Sequence, residues 1–389
     1  MISRPDHVAL VRRRLRSFPV VGIVGPRQVG KTTLAAQIAR GLRAKVHRFD
    51  LEDSRDRDRL TDAMAALEPL RGLVVLDEVQ HRPDMFPTLR VLADRPRTPA
   101  RFLVLGSASP ALLQQSSESL AGRISYHELG GLGLAEVGPS RLDQLWLRGG
   151  FPRSFLARAN GQSYEWRRDL VRSYLERDLP LLGSPAASET MRRFWTMLGH
   201  VHGQTLNASE LARSFGVSDK TVRAYLDFLA STYLVRILPP WHENLGKRLV
   251  RAPKVYFRDS GLLHFLLGIR TPADLLAHPR CGASWEGFAL EEVLRCTGAT
   301  ADEAHFWATH AGAELDLLIV RGRSRLGFEF KRSTSPGLTP SMRSALMDLK
   351  LSRLWVVHAG TERYRLGPSV EAVPLADVPR AVSPLSRRR

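Results

Sequence analysis

Residues Gly25 to Thr32 read GPRQVGKT, and residue types at that spacing suit the capture of a polyphosphate. Gly25 and Gly30 let the chain turn so that backbone N–H groups point inward at phosphate oxygens. The stretch Gly25, Pro26, Arg27, Gln28, Val29, Gly30, Lys31, Thr32 and Thr33 is therefore the candidate nucleotide-binding loop. In such a loop the lysine ammonium, here Lys31, reaches the β- and γ-phosphates, and the hydroxyl of Thr32 ligates magnesium. A second segment, GLVVLDEVQ at 72–80, carries an apolar run into Asp77 and Glu78. Asp77 at a strand end can hold the magnesium shell together with Thr32, and Glu78 can polarise an attacking water as general base. RFLVLGSAS at 101–109 brings Ser107 to a third strand end, a position suited to sensing the γ-phosphate or the water. Arg123, in SLAGRI, is a candidate arginine finger or cis sensor. Lys31, Asp77, Glu78, Ser107 and Arg123 are thus the expected catalytic set of an ATP hydrolase that uses Mg2+.

A second group of charged residues lies near the other end of the chain. AELDLLIVRG places Asp316 at the start of an apolar strand, and RLGFEFKRS places Glu329 and Lys331 on alternate positions of another. Period two puts Glu329 and Lys331 on one face, and the turn RGRSR joins the strands as a hairpin. Asp316 and Glu329 are then expected to meet at a divalent metal with Lys331 beside them, polarising a phosphodiester and its attacking water. The helical stretch ASWEGFALEEVLRC adds Glu286 to the group. Between the two groups, TLNASELARSFGVSDKTVRAYLDFLASTYLV (205–235) has the grammar of a helix-turn-helix. Asn207 or Ser209 caps a first helix, Gly216 turns the chain, and Ser218 or Asp219 caps a second. Lys220, Thr221 and Arg223 sit at the N-terminal end of that second helix, where base-edge contacts are made. The same module also serves protein packing, and the sequence leaves both uses open.

The elements that must position these residues follow from apolar periodicity. FPVVGIV (18–24), the strand before Asp77 and the strand before Ser107 alternate with helical segments, which predicts a parallel sheet with helices on both faces and the nucleotide at the strand carboxyl ends. The chain divides into an ATPase domain at 1–140, a helical connector at 141–204, a winged-helix-like module at 205–270, an α/β nuclease-like domain at 271–380 and a basic tail at 381–389. Composition supports a globular protein: 43% of residues are hydrophobic and 25% charged. A net charge of +18 favours an anionic partner, nucleic acid first. Only seven of the 57 basic residues are lysine, so Lys31 and Lys331 stand out as sites where a compact ammonium was retained. The only cysteines, Cys281 and Cys296, read as free thiols of a reducing cytoplasm. No apolar run is long enough to span a membrane, and the N-terminus lacks the apolar core of a secretory signal.

Taken together, the modules resemble the prokaryotic AAA+-related P-loop ATPases whose C-terminal half is a domain of unknown function. The resemblance rests on GPRQVGKTT, LDEVQ, GSASPALLQQSSESLAGR, GGFPR, YLERDLP, the helix-turn-helix region, WEGFALEEV, and AELDLLI with FEFKRS. The spacing from Asp316 through Glu329 to Lys331 resembles the PD-(D/E)xK nuclease core, although no proline precedes Asp316. The family implies ATP binding through Gly25 to Thr33 and a restriction-endonuclease-like C-terminal domain. It adds weight to Ser107 and Arg123, which fall in matched stretches. AAA+ relatives form rings, so an oligomer is among the expectations. Three outputs follow: a DNA-associated ATPase, an ATP-driven switch that docks a protein partner beside an inactive nuclease-like domain, and an ATP-dependent DNA nuclease.

Overall fold

The computed structural model describes residues 2–96, 100–107, 118–242 and 249–382. Ala108 to Ser117, within one of the matched stretches, and most of the expected basic tail lie outside the described residues. The chain forms two compact units. One holds the residues up to Gly131 together with 181–183 and 231–233, and the other holds the rest.

The first unit is built on a five-stranded sheet. Strand β1 (Val20–Gly25), β2 (Val46–Asp50), β3 (Gly72–Asp77), β4 (Ala100–Ser107) and β5 (Ile124–Glu128) take the order β2-β3-β4-β1-β5. Every pairing is parallel. β1 is buried along its whole length, as a strand covered on both faces must be. The edges β2 and β5 bury only Phe49 and His127 outright, which is why their mixed sequences VHRFD and ISYHE do not announce strands. Helix α1 (Pro5–Ser17) buries Val11 and Leu15, and α2 (Lys31–Arg40) buries Leu34, Ala35 and Ile38. Helix α3 (Met85–Ala93) sets Phe86, Leu89 and Leu92 into the same core as Val74, Leu76 and Phe102. Buried side chains of this size each contribute roughly 2 kcal/mol.

The second unit begins with helices. α4 (Asn160–Ser173) runs into a π-helical turn at Tyr174–Asp178, and α5 (Ser188–His200) buries Met191, Phe194, Trp195 and Leu198, one stripe at helical spacing. α6 (Ala208–Phe215) is capped by the Asn207 side chain, which accepts from Glu210 N–H. Gly216, at φ 65°, takes the left-handed turn that ends it. Ser218 then accepts from Thr221 N–H at the start of α7 (Asp219–Ser231). Each such cap stabilises by about 1 kcal/mol. Strand β6 (Val235–Leu238) pairs antiparallel with β7 (Lys254–Phe257). α8 (Ser260–Leu266) and the long α9 (Cys281–Thr297) follow.

A six-stranded mixed sheet closes the unit. β8 (Ala304–Ala308), β9 (Glu314–Arg321), β10 (Ser324–Lys331), β11 (Arg353–His358), β12 (Tyr364–Gly367) and β13 (Val370–Pro374) take the order β12-β13-β11-β10-β9-β8. β9 and β10 form the antiparallel hairpin, while β10, β11 and β13 run parallel. Helix α10 (Pro340–Asp348) packs Met342 and Ala345 against Leu315, Leu318 and Leu354. No helix among the described residues is long and apolar enough to cross a membrane.

Candidate functional site

The loop between β1 and α2 sits at the carboxyl end of the sheet. Gly25 is required there sterically: a Cβ would lie 2.1 Å from the Leu129 carbonyl oxygen. Gln28 and Gly30 have φ of 64° and 97°, so the loop alternates into left-handed geometry, the kind of turn in which successive N–H groups can line an anion-binding concavity. Lys31 is buried and folds back over the loop, donating to Gly25 O at 3.1 Å and Pro26 O at 2.9 Å. The Thr32 hydroxyl donates to Asp77 Oδ2 at 2.8 Å. The Asp77 carboxyl is raised above its ordinary value, first by burial and then by Glu78 and Asp50, against the hydrogen bond from Thr32. The Thr32 hydroxyl and the Asp77 carboxylate are hard oxygen donors brought together beside an ammonium, and that set fits Mg2+.

Glu78 adopts left-handed geometry at φ 53°, and its carboxylate accepts from the Gln80 amide. A non-glycine residue held in that region is uncommon and marks a position fixed by its surroundings. β4 lies between β1 and β3, and Ser107 stands opposite Gly25 in the register. The backbone therefore brings Lys31, Thr32, Asp77, Glu78 and Ser107 to one end of three adjacent strands. Arg123 is not brought there. It precedes β5, level with Val20 at the other end of β1, about 16 Å of strand from Gly25. Its guanidinium instead grips Asp94 with two bonds of 2.6 and 2.8 Å. Arg27 lies 3.7 Å from Glu52.

One residue outside the motifs supports the loop. Arg4 is buried, and its guanidinium donates to Val29 O at 3.3 Å and to Gly130 O and Gly131 O at 3.2 and 3.0 Å. It ties the phosphate loop to the chain that leaves β5. Among fifty arginines nothing in the sequence singles it out.

On the helix pair, Lys220 and Arg223 are exposed at the start of α7, whereas the Thr221 hydroxyl is engaged with Ser218 at 3.0 Å. In the C-terminal sheet, Asp316 and Glu329 are buried on neighbouring strands. Asp316 accepts from Phe330 N–H at 2.9 Å, and Lys331 donates to Glu329 Oε1 at 2.7 Å. Glu329 Oε2 is buried without a hydrogen-bond partner. A further basic group completes the cluster: Lys254, on β7. Its ammonium contacts Glu286 at 3.2 Å, Glu314, and Asp316 at 3.9 Å, and Tyr256 Oη donates to Glu286 at 2.6 Å. Burial and mutual repulsion with Asp316 push both Glu286 and Glu329 well above the usual carboxylate range. Burial alone would lower the Lys254 ammonium, yet Glu286, Asp316 and Glu314 together raise it. For a divalent cation these residues do not fit. Among the described residues no three acidic, histidine or cysteine side chains converge as a metal site, and an ammonium stands among the carboxylates instead.

Comparisons with known proteins agree with the geometry of the first unit. The family model of an AAA domain matches residues 17–138, a domain of unknown function (DUF8612) matches 139–273, and another (DUF4143) matches 281–378. Among solved structures, the Walker-type ATPase PABY2304 of Pyrococcus abyssi aligns over 69% of this chain and 96% of its own, with a TM-score of 0.50 and 12% identity. That likeness is one of fold. Among curated relatives, the uncharacterized proteins Rv2008c of Mycobacterium tuberculosis and Mb2031c of Mycobacterium bovis are each 50% identical over 374 residues, spanning 96% of this chain and 84% of theirs. With half its residues shared over nearly its whole length, the chain belongs to the same family as Rv2008c, and within it carries an AAA-type P-loop ATPase domain ahead of two domains of unknown function.

Proposed function

We propose that the protein hydrolyses ATP in a Mg2+-dependent reaction and couples nucleotide state to a DNA-associated C-terminal half. The observation that carries the ATPase reading is the meeting of Lys31, Thr32 and Asp77 at the end of β1 and β3, with β4 between them. Gly25 to Thr33 wrap the phosphates, with backbone N–H groups and the N-terminus of α2 facing them. Lys31 exchanges its two loop carbonyls for the β- and γ-phosphate oxygens. Thr32 and Asp77 would hold magnesium, which supplies charge neutralisation on the phosphates when bound. Glu78 takes a proton from the attacking water, and Ser107 orients that water or the γ-phosphate. Arg123 serves only a neighbouring copy, as an arginine finger given in trans, since its place on the strand keeps it from its own loop.

The DNA reading is supported by the charge of +18 and by the exposed Lys220 and Arg223 at the head of α7. In this reading α6, α7, β6 and β7 are a winged-helix-like module at 205–270, preceded by the ATPase domain (1–140) and connector (141–204). The mixed sheet is then a nuclease-like domain at 271–380, grouping Glu286, Asp316, Glu329 and Lys331. One observation favours a second reading, a switch that docks a protein partner beside an inactive nuclease-like domain: Lys254 stands among the carboxylates that a nuclease would give to metal.

ATP turnover by the purified chain, with and without duplex DNA, beside Lys31→Ala, tests the proposal. Turnover that Lys31→Ala abolishes and DNA accelerates is the expected result. Turnover indifferent to DNA at low salt transfers the reading to the protein-partner switch, and DNA cut in Mg2+ or Mn2+ with ATP would establish the nuclease instead. Absence of turnover in all conditions overturns the ATPase reading.

A further inference from the structure

The carboxylate cluster of the second unit gathers four acids against two ammonium groups: Glu286 on α9, Glu314 and Asp316 on β9, and Glu329 on β10, faced by Lys254 and Lys331. The two lysines are not equivalent. Lys331 is bonded to Glu329, its neighbour by two on the same strand. Lys254 comes from a different sheet, is only 4% exposed, and reaches three acids carried by two elements. Its ammonium also lies 5.6 Å from the centre of the Phe306 ring. Tyr256, two residues along β7 and so on the same face, adds a hydroxyl donor to Glu286. β7 thus delivers a positive charge and a donor to the point where the acids of three elements approach one another.

We propose that the Lys254 ammonium is the resident cation of this cluster, holding the position that a divalent metal would take, so that the nuclease-like domain keeps the shape of a cleavage site without binding metal. The inference rests on the nuclease-like reading of residues 271–380. Burying one partner of a charge pair without the other is costly, so a carboxylate group of this size needs a permanent counter-charge. A tethered ammonium provides one irrespective of metal supply. Two observations agree. With the ammonium standing among them, the acids do not converge on a common point in the manner of metal ligands. Lys254 is one of only seven lysines in a chain that writes arginine fifty times, and an ammonium is the more compact of the two charges.

Removing the charge should convert the cluster into a metal site, because four acids would then face one ammonium. The experiment is Mn2+ binding by calorimetry, with Tb3+ luminescence sensitised through Tyr256, on the full chain without nucleotide. Wild type, Asp316→Asn, Lys254→Met, and Lys254→Met combined with Asp316→Asn are compared. Expected is no Asp316-dependent binding by wild type, and Mn2+ and Tb3+ binding by Lys254→Met at least tenfold tighter, lost again in the double variant. Lys254→Gln, which keeps a donor toward Glu286 while removing the charge, reads the same gain if Lys254→Met does not fold. Mn2+ binding by wild type that Asp316→Asn removes would overturn the resident cation and leave the nuclease-like reading standing. A folded Lys254 variant that binds neither ion would overturn both, since the acids would then form no cation position even when it is vacated.

Discussion

At the scale of single residues, the geometry of the candidate nucleotide site was legible because its contacts are local. Lys31 and Thr32 are adjacent, and Asp77 ends a strand whose apolar run is unmistakable, so types and spacing suffice to pair them; the 2.8 Å bond between Thr32 and Asp77 is the result. Glu78 is the residue whose role separates binding from chemistry. Glu78→Gln keeps the length and the Gln80 contact but cannot accept a proton, so ATP affinity should persist while turnover falls about 100-fold or more. Equilibrium binding of a fluorescent ATP analogue beside steady-state hydrolysis checks it, and a proportionate loss of both would remove Glu78 from the chemical step. Arg4 was not legible, because its partners are backbone carbonyls far along the chain and one arginine among fifty carries no signal. Arg4→Ala removes the donor to the buried Val29 carbonyl and to the half-buried carbonyls of Gly130 and Gly131, a loss on the order of 2 kcal/mol. It should weaken ATP binding about tenfold with a smaller effect on kcat, measured as KM against kcat; an unchanged KM would show that the loop holds its shape without it. Lys254 carried the same rarity signal as Lys31 and Lys331. It escapes notice because its strand is four residues long, follows Pro253, and meets Glu286 and Asp316 only through tertiary folding.

At the scale of elements, the central strands were legible and the edges were not. β1, β3 and β4 are buried on both faces and spell continuous apolar runs, whereas VHRFD and ISYHE bury one residue each and look like loops. The helix pair α6–α7 was legible down to its caps, because capping chemistry is carried by the residues themselves. The packing among helices was not. Trp146 Nε1 donates to Ser284 Oγ at 3.0 Å, Ser284 Oγ lies 2.7 Å from His264 Nε2, and His264 Nδ1 lies 3.0 Å from Leu147 O. These bonds are all satisfied when His264 is neutral, with its proton on Nδ1, donating to Leu147, and Nε2 accepting from the serine. Burial accordingly lowers its pKa from 6.5 to about 3. The folded value lies below the unfolded one, so this contribution is complete above about pH 6.5 and is lost as pH falls toward 3. At pH 5 the loss is roughly 2 kcal/mol for this one group. Urea unfolding of the second unit at pH 7 and pH 5 should show a smaller acid loss in His264→Asn than in wild type. Equal losses would mean that the imidazole is not held neutral by its surroundings.

At the scale of the whole molecule, the excess of positive charge has two explanations that salt separates. Arginines spread over the surface give a diffuse attraction to any polyanion, while a dedicated DNA face concentrates it at a few contacts. Both weaken as salt rises, but only the second responds to single residues. Lys220 and Arg223 are exposed at the head of α7, so truncating them leaves the packing of Val222, Tyr225 and Leu226 intact and the fold unchanged. If they meet phosphates, each removal lowers the slope of log affinity against log salt by about 1, and Lys220→Ala with Arg223→Ala together by about 2. If one reads a base edge instead, affinity falls by about 1–3 kcal/mol on the preferred sequence and far less on others. Fluorescence anisotropy with duplex DNA across a salt series, for wild type and the double variant, distinguishes these. An unaltered slope and affinity in the double variant would assign the charge of +18 to the surface at large and α6–α7 to protein packing, which is the arrangement a protein-partner switch requires.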